Sequence, residues 1–215
     1  MKIAVLGAGA MGGLYSAYLS RHNEVTVIDV NAQVVEKINA DGLEVQEPDG
    51  ASAVYHPHAV LSTEGLEPVD LIVVFVKAMF SESALQNNKS IIGPETYLMT
   101  LQNGSGHEDM LGKFVPQEHI IIGTTQHNAS VAGFGVTKHG GSGMTHMGCV
   151  TGDVNRLQKF ADAFTACGLD ADVSDGVQKM IWNKMFTNVS ASALTGALQV
   201  PLGFISADEN AWKLC

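Results

Sequence analysis

Positive charge is scarce in this sequence. Its 215 residues hold 12 Lys and Arg against 22 Asp and Glu, a formal net charge of -10. That balance argues against nucleic acid and anionic membranes as partners, since both are bound through basic patches. An anionic ligand has to be drawn in by a few local lysines instead of the field of the whole protein. Cysteine is sparse too. Cys149, Cys167 and Cys215 are odd in number and form no C-x-x-C pair, which argues against structural zinc and points to a reduced, cytoplasmic setting. No run reaches the roughly 18 apolar residues of a membrane span. The apolar N-terminus carries a single Lys and is interrupted by glycines, so it does not read as a signal peptide. Internal repeats and low-complexity linkers are missing as well. The remaining composition, 46% hydrophobic, is that of a globular protein with one sizeable core, or one domain and part of a second.

The first stretch organises the rest. Residues 3–6 read as a short buried strand, and Gly7, Gly9 and Gly12 follow at the G-x-G-x-x-G spacing where a helix pattern begins. Gly7 permits the tight turn, Gly9 lets the backbone approach a pyrophosphate, and Gly12 allows close helix packing. The turn as a whole (Gly7, Ala8, Gly9, Ala10, Met11, Gly12) is the expected dinucleotide site, with the N–H groups and positive end of the helix facing phosphate. A second strand ends in Asp29, about 20 residues on, as this fingerprint requires. A glycine-rich turn in some other α/β protein is the alternative.

Further along, residues 31–40 form a helix capped by Asn31 and stopped near Gly42. Residues 43–46 and 51–55 flank a Glu-Pro-Asp-Gly turn as a hairpin. Residues 70–76 are almost continuously apolar, the pattern of a strand buried on both faces of a parallel sheet, and Lys77 ends it. Strands at 96–101 and 119–125 follow, the first ending in Gln102-Asn103-Gly104. In such a sheet ligands bind beyond the carboxyl ends of the strands, so the glycines, Asp29, Lys77 and Asn103 share one rim. Between 124 and 147 short β-rich runs read as antiparallel strands closing the sheet. Residues 153–166 read as an amphipathic helix ended by Gly168, and 170–174 as a connection. A long helix from 175 or 176 to about 198 places Lys184, Asn188 and Ser192 on one polar stripe. The expected class is α/β: a Rossmann-type, mostly parallel sheet with an added antiparallel section over 1–172, then the incomplete start of a helical domain over 173–215.

Four residues are candidates for chemistry or binding. A carboxylate at Asp29 accepts from both ribose hydroxyls of NAD and repels the 2′-phosphate of NADP, and no Lys or Arg occurs over 30–36 to offset it; capping the next helix is its alternative role. Lys77 is a contact for cofactor or substrate carboxylate, or a snorkelling rim lysine. Asn103 is a rim ligand or a turn former. Lys184, in an apolar helix, is costly without a partner or a task. It can polarise a ketone and donate the proton an alkoxide needs, or it is an exposed lysine on the solvent face. His127, His139 and His146 lack a close ligand pair and read as strand or loop histidines, with no metal site expected. Ser142 has no base partner, so acyl transfer is unsupported.

Six segments together resemble the ketopantoate reductase (2-dehydropantoate 2-reductase) family across the whole chain: G-A-G-A-M-G at 7–12, V-K-A at 76–78, L-Q-N-G at 101–104, G-T-T-x-H at 123–127, T-H-x-G at 145–148 and W-x-K-M-x-x-N at 182–188. The resemblance implies a Rossmann domain followed by a helical domain, with the site in the cleft between them. It implies that Lys184 donates the proton to the 2-oxo group, that Asn103 and Lys77 bind cofactor and shape the substrate side, and that Asn188 binds substrate. The family usually uses NADP(H), with a basic residue after the second strand; Asp29-Val30 stands there instead and favours NAD(H). Where the family often has asparagines beyond the lysine, this chain has Ser192 and Leu202, which suits a branched or aromatic 2-oxo acid. Family members run well beyond 215 residues, so the chain resembles a C-terminally truncated member. The expected partner is a small 2-oxo acid, and the resemblance allows a homodimer. A D-2-hydroxyacid dehydrogenase of the same family and a non-catalytic dinucleotide-binding fragment or sensor are the rival readings.

Overall fold

A computed structural model describes residues 1–215. The chain opens with β1 (Lys2–Leu6), α1 (Ala10–Leu19), β2 (Glu24–Ile28) and α2 (Ala32–Asp41). Asn31 caps α2 by accepting from the Gln33 N–H at 3.0 Å, and Gly42 stops it at φ +86°, a conformation that glycine adopts without a Cβ penalty. Three short strands follow, β3 (Leu43–Gln46), β4 (Ser52–Tyr55) and β5 (His58–Val60). Then come β6 (Leu71–Val74), α3 (Ser81–Asn87), β7 (Tyr97–Thr100), α4 (His107–Leu111) and β8 (Ile120–Thr125).

The main sheet has eight strands. After β8 the chain gives β9 (Asn128–Gly133), β10 (Val136–Gly141), β11 (Thr145–Gly148), α5 (Gln158–Ala166) and β12 (Ala171–Val173). The order is β12-β11-β8-β7-β6-β1-β2-β5, and all neighbours are parallel except β11 and β8. β1 lies between β2 and β6, so the connections diverge on either side of it and open a crevice beyond its carboxyl end. Two apolar clusters cover the two faces. One joins Ile3, Val5 and Val73 to Leu14, Tyr15, Phe160 and Phe164, and the other joins Ala4, Leu6 and Val74 to Leu85, Leu111 and Val177. This alternation along β1 is what a strand with both faces buried requires.

Three expectations need correction. β9 and β10 do not close the main sheet: they pair with each other and, through β10, run parallel to β3, making a second four-stranded sheet in the order β4-β3-β10-β9. Only β11 supplies the antiparallel section. Residues 170–174 are more than a connection, since Ala171–Val173 extends the main sheet parallel to β11. The helix expected over 153–166 is α-helical only from Gln158, because Val154–Leu157 is a 3-10 turn capped by Asp153.

The chain finishes in α6 (Val177–Thr187), a π-helical turn (Asn188–Ser192), α7 (Ala193–Leu198), α8 (Gly203–Ala207) and α9 (Glu209–Leu214). α6 packs across β8 and β11 through Val177 and Ile181. The helices after α6 build no core of their own, and Phe186, Val189, Leu202 and Trp212 are exposed. No helix is long and apolar enough to cross a membrane.

Candidate active site

The carboxyl ends of β1, β2, β6, β7 and β8, with α6 above them, enclose an open cleft of about 1240 Å³. That exceeds the several hundred Å³ of an ordinary small-ligand pocket and gives room for a dinucleotide beside a small acid. Gly7, Gly9, Ala10, Met11, Asp29, Lys77, Asn103 and Lys184 all line it. Residues from β1 to α6 thus converge on one rim, although they lie up to 177 positions apart in sequence.

The glycine-rich turn fits a pyrophosphate. Gly7 turns at φ +97°. A Cβ on Gly12 would stand 1.8 Å from the Gly7 carbonyl oxygen, so only glycine lets α1 start this close to the turn. A Cβ on Gly9 would meet nothing within 4 Å. The protein itself therefore tolerates a side chain at Gly9, and the open space it faces is where a ligand has to come close. α1 begins one residue later at Ala10, with its unpaired N–H groups directed at that space. Gly12 is buried behind the turn and Ala8 sits beside it; neither lines the cleft.

Asp29 is engaged on both oxygens. One accepts from the Ala8 N–H at 2.7 Å and the other from the Asn31 N–H at 2.9 Å. The carboxylate thus ties the glycine-rich turn to the start of α2, and its remaining lone pairs stay available to the cleft. Val30, which follows it, is 94% exposed, so no side chain covers this end.

Lys77 and Asn103 are exposed on the rim. Gln102 next to Asn103 performs a task that the sequence did not reveal. Its amide donates to the Val76 carbonyl and the Ser81 hydroxyl, and its carbonyl accepts from Thr100 at 3.0 Å. It stitches the ends of β6 and β7 together and so sets the spacing between Lys77 and Asn103.

Lys184 reaches down from α6 and donates to the Thr125 carbonyl at 2.9 Å. Burial pulls its pKa below the ordinary lysine value. Beneath this contact lies a buried hydroxyl cluster: the Tyr15 phenol meets Thr125 Oγ1 at 2.9 Å and Thr145 Oγ1 at 2.8 Å. Burial pushes the Tyr15 phenol up to about 12, which leaves it a neutral hydrogen-bonding group. Asn183, beside Lys184, lines the cleft; Asn188 and Ser192, one and two turns further on, do not. His146, which pairs with Thr124 across β11 and β8, also lines the cleft, and its Nδ1 lies 2.6 Å from Asp172 on β12.

Such a site can bind a dinucleotide along the strand ends and present an ammonium to a carbonyl. Comparison with known proteins gives the family. Residues 3–152 match the family described as ketopantoate reductase PanE/ApbA. The 2-dehydropantoate 2-reductase of Halobacterium salinarum is 31% identical over 208 residues, which cover 94% of this chain and 67% of that protein. The enzyme of the same name from Lactococcus lactis is 33% identical over 90% of this chain and 63% of its own length. This chain therefore spans about two thirds of the length of these relatives. Among solved structures, D-mandelate dehydrogenase in its ternary complex with NADH and anilino(oxo)acetate superimposes with a TM-score of 0.92 at 35% identity, covering 99% of this chain and 69% of that one. The 2-dehydropantoate 2-reductase of Geobacter metallireducens superimposes at 0.90 with 28% identity, over 99% of this chain and 71% of its own.

Proposed function

The chain belongs to the ketopantoate reductase family, and on that premise we propose that it reduces a 2-oxo acid to the 2-hydroxy acid with a nicotinamide dinucleotide. The observation that carries this reading is the Lys184 ammonium, held at the Thr125 carbonyl on the wall of the cleft that the glycine-rich turn opens. When bound, the reduced nicotinamide supplies a hydride to C2 of the acid. The chain's residues do the rest. The 7–12 turn and the start of α1 hold the pyrophosphate, and Asp29 accepts from the ribose hydroxyls. Lys77 and Asn103 hold the cofactor and shape the substrate side, Asn103 helping to orient the acid. Lys184 polarises the carbonyl oxygen and then protonates it. Desolvation favours that step, because a half-buried ammonium gives up its proton more readily than an exposed one. Asn188 and Ser192 continue the polar stripe one and two turns beyond Lys184, outside the cleft lining, and the helices from Val177 onward are the beginning of the domain that covers the substrate.

The finer assignment is 2-dehydropantoate as substrate, giving (R)-pantoate for pantothenate and coenzyme A synthesis, with NADH preferred because of Asp29. One observation favours a second reading. The likeness to an NADH-bound D-mandelate dehydrogenase at 35% identity, together with Ser192 and Leu202 where the family often has asparagines, suits a D-2-hydroxyacid dehydrogenase for branched or aromatic 2-oxo acids.

The test is oxidation of NADH and NADPH by this chain with 2-dehydropantoate, 2-oxoisovalerate and 2-oxo-2-phenylacetate in parallel. Fastest turnover of 2-dehydropantoate supports the pantoate assignment, and fastest turnover of either other acid moves the chain to the hydroxyacid dehydrogenases. Tight NADH binding without turnover of any of the three would leave a dinucleotide-binding protein and remove the catalytic reading.

A further inference from the structure

The carbonyl that receives Lys184 is left free by the sheet itself. β8 and β11 pair antiparallel with Thr125 opposite Thr145, and the Gln126 N–H donates to the Met144 carbonyl at 3.1 Å. In a trans peptide the C=O points away from the N–H, so the Thr125 carbonyl faces away from β11, toward β7. β7 ends at Thr100, which pairs with Ile122 and so stops short of Thr125. No strand brings a donor to this carbonyl, and the Lys184 ammonium takes that place at 2.9 Å.

The Thr125 side chain is held from behind. It is nearly buried, and Tyr15 and Thr145 beside it are fully buried. Three donors reach its hydroxyl oxygen: the His127 N–H at 3.0 Å, the Tyr15 phenol at 2.9 Å and the Thr145 hydroxyl at 3.2 Å. A hydroxyl oxygen has two lone pairs. The N–H fills one and one hydroxyl fills the other. The remaining hydroxyl donates across the 2.8 Å contact between Tyr15 and Thr145, which leaves all three donors paired. His127 is seated in turn by a row of its own: its Nδ1 lies 3.2 Å from His139 Nε2, and His139 Nδ1 lies 2.8 Å from a carboxylate oxygen of Glu47. Tyr15 belongs to the apolar cluster on one face of the sheet, and α6 packs on the other through Val177. The peptide that meets the ammonium is therefore gripped from the face opposite α6. Threonine is β-branched and stiff at χ1, so holding its Oγ1 also holds the backbone that carries the carbonyl.

We propose that Thr125 is a positioning residue for Lys184: its hydroxyl, held by Tyr15, Thr145 and the His127 N–H, aims the carbonyl that sets where the ammonium stands. Misplacing a reacting group by about 1 Å costs on the order of 100-fold in rate. An ammonium left to swing on its flexible four-carbon stem is thus a poor acid even with the lysine intact. The consequence for rate rests on the reductase reading above; the anchoring itself does not.

Three variants test it: Thr125→Val keeps the shape and removes the hydroxyl, Thr125→Ser restores the hydroxyl, and Tyr15→Phe removes a single donor. The first measurement needs neither cofactor nor substrate. The Lys184 amine is titrated by NMR in protein carrying carbon-labelled lysine, its signal assigned by its loss in Lys184→Met. Burial holds this amine below the ordinary lysine value. Released from its anchor it moves toward water, so its pKa should rise toward the ordinary 10.5 in Thr125→Val, rise less in Tyr15→Phe and stay at the parent value in Thr125→Ser. The other ionisable groups at this cleft, Asp29, Lys77, His127 and His146 with its partner Asp172, are the same residues in every variant. The second measurement is a rate cycle. Thr125→Val should lower kcat about 10–100-fold while NADH affinity stays within about twofold, and Thr125→Ser should recover kcat to within about threefold of the parent. Placed on Lys184→Met, Thr125→Val should cost less than about threefold, because the group it positions is gone. Equal fold losses in the two backgrounds would overturn the proposal in favour of a packing role, and so would a Lys184 pKa that is the same in the parent and Thr125→Val. If Thr125→Val does not fold, Tyr15→Phe carries both measurements under the same criteria, with a rate loss of about three- to tenfold. A parent without turnover would remove the reductase reading, and the titration would then decide the anchoring by itself.

Discussion

Replacing Lys184 by methionine should separate chemistry from folding, because the ammonium is costly to the fold and central to the proposed reaction. Methionine keeps the unbranched stem and its apolar contacts. In the folded chain the amine is half-buried and donates to the Thr125 carbonyl. A lysine whose folded pKa lies below its unfolded value binds fewer protons folded than unfolded. The charged amine therefore opposes folding below the folded pKa, and the penalty is relieved as pH rises from that value toward the ordinary 10.5. Solvent screening keeps this effect small, since much of the side chain remains near water. Against the relief stands the Thr125 carbonyl, which loses a hydrogen bond worth about 1 kcal/mol. The two nearly offset, so stability should change by no more than about 1 kcal/mol, or about 2–4 °C in Tm for a chain of this size. Turnover should respond very differently. A positioned general acid is worth about 10²–10⁴ in rate, which is about 3–5 kcal/mol of barrier. The assay is loss of NADH absorbance at saturating 2-oxo acid, with Tm by scanning calorimetry and NADH affinity measured on the same samples. A kcat within about threefold of the parent would refute proton donation by Lys184. A fall in Tm beyond about 8 °C would make it a packing residue instead.

Two further expectations follow from the cofactor end of the cleft. Gly12→Ala should destabilise the fold by about 1–3 kcal/mol through its clash with the Gly7 carbonyl, whereas Gly9→Ala, with open space around it, should keep the parent Tm and lose about tenfold or more in NADH affinity; Gly9→Ala binding NADH as tightly as the parent would show that no phosphate approaches that position. Asp29→Ala should weaken NADH more than NADPH and narrow the preference between them, and an unchanged ratio of the two dissociation constants would remove Asp29 from cofactor selection.

Much of this architecture is legible in the sequence because it is local. A strand, three glycines at fixed spacing and a helix together define the turn at 7–12, and the run Leu71–Val74 could only be a strand covered on both faces. The strand-end rule then gathers Asp29, Lys77 and Asn103 on one rim before any coordinates are known. Gly42, Gly168 and Asn31 mark helix ends through their own backbone or side-chain chemistry. Where the reading failed, the cause was pairing between distant segments. Nothing in residues 128–141 states that they will pair with residues 43–46 instead of the main sheet, since an amphipathic strand carries the same alternation in either sheet. Ala171–Val173 was hidden for a related reason: three residues are too few for a period, and its existence depends on β11 being there to pair with.

The same distinction divides the cleft. Lys184 stands out in sequence because a charge in an apolar helix is conspicuous by itself. Its anchor does not: the acceptor is a backbone carbonyl 59 positions away, and carbonyls carry no residue-type signal. The His127–His139–Glu47 row is harder still. His127 and His139 are 12 positions apart, and His139 and Glu47 are 92 apart. Read singly they are two strand or loop histidines and a surface acid. They meet only because β10 runs parallel to β3 in the second sheet, where Val136 pairs with Glu44 and Lys138 with Gln46. His139 and Glu47 are the next residues in that register, which puts the imidazole beside the carboxylate. The second sheet, which looked like an appendage to the dinucleotide fold, is thus what delivers a carboxylate to the far end of the row. Any change that slips β10 by one residue would turn His139 to the opposite face of the sheet and cut the row while leaving every residue of the glycine-rich turn, Asp29 and Lys184 in place.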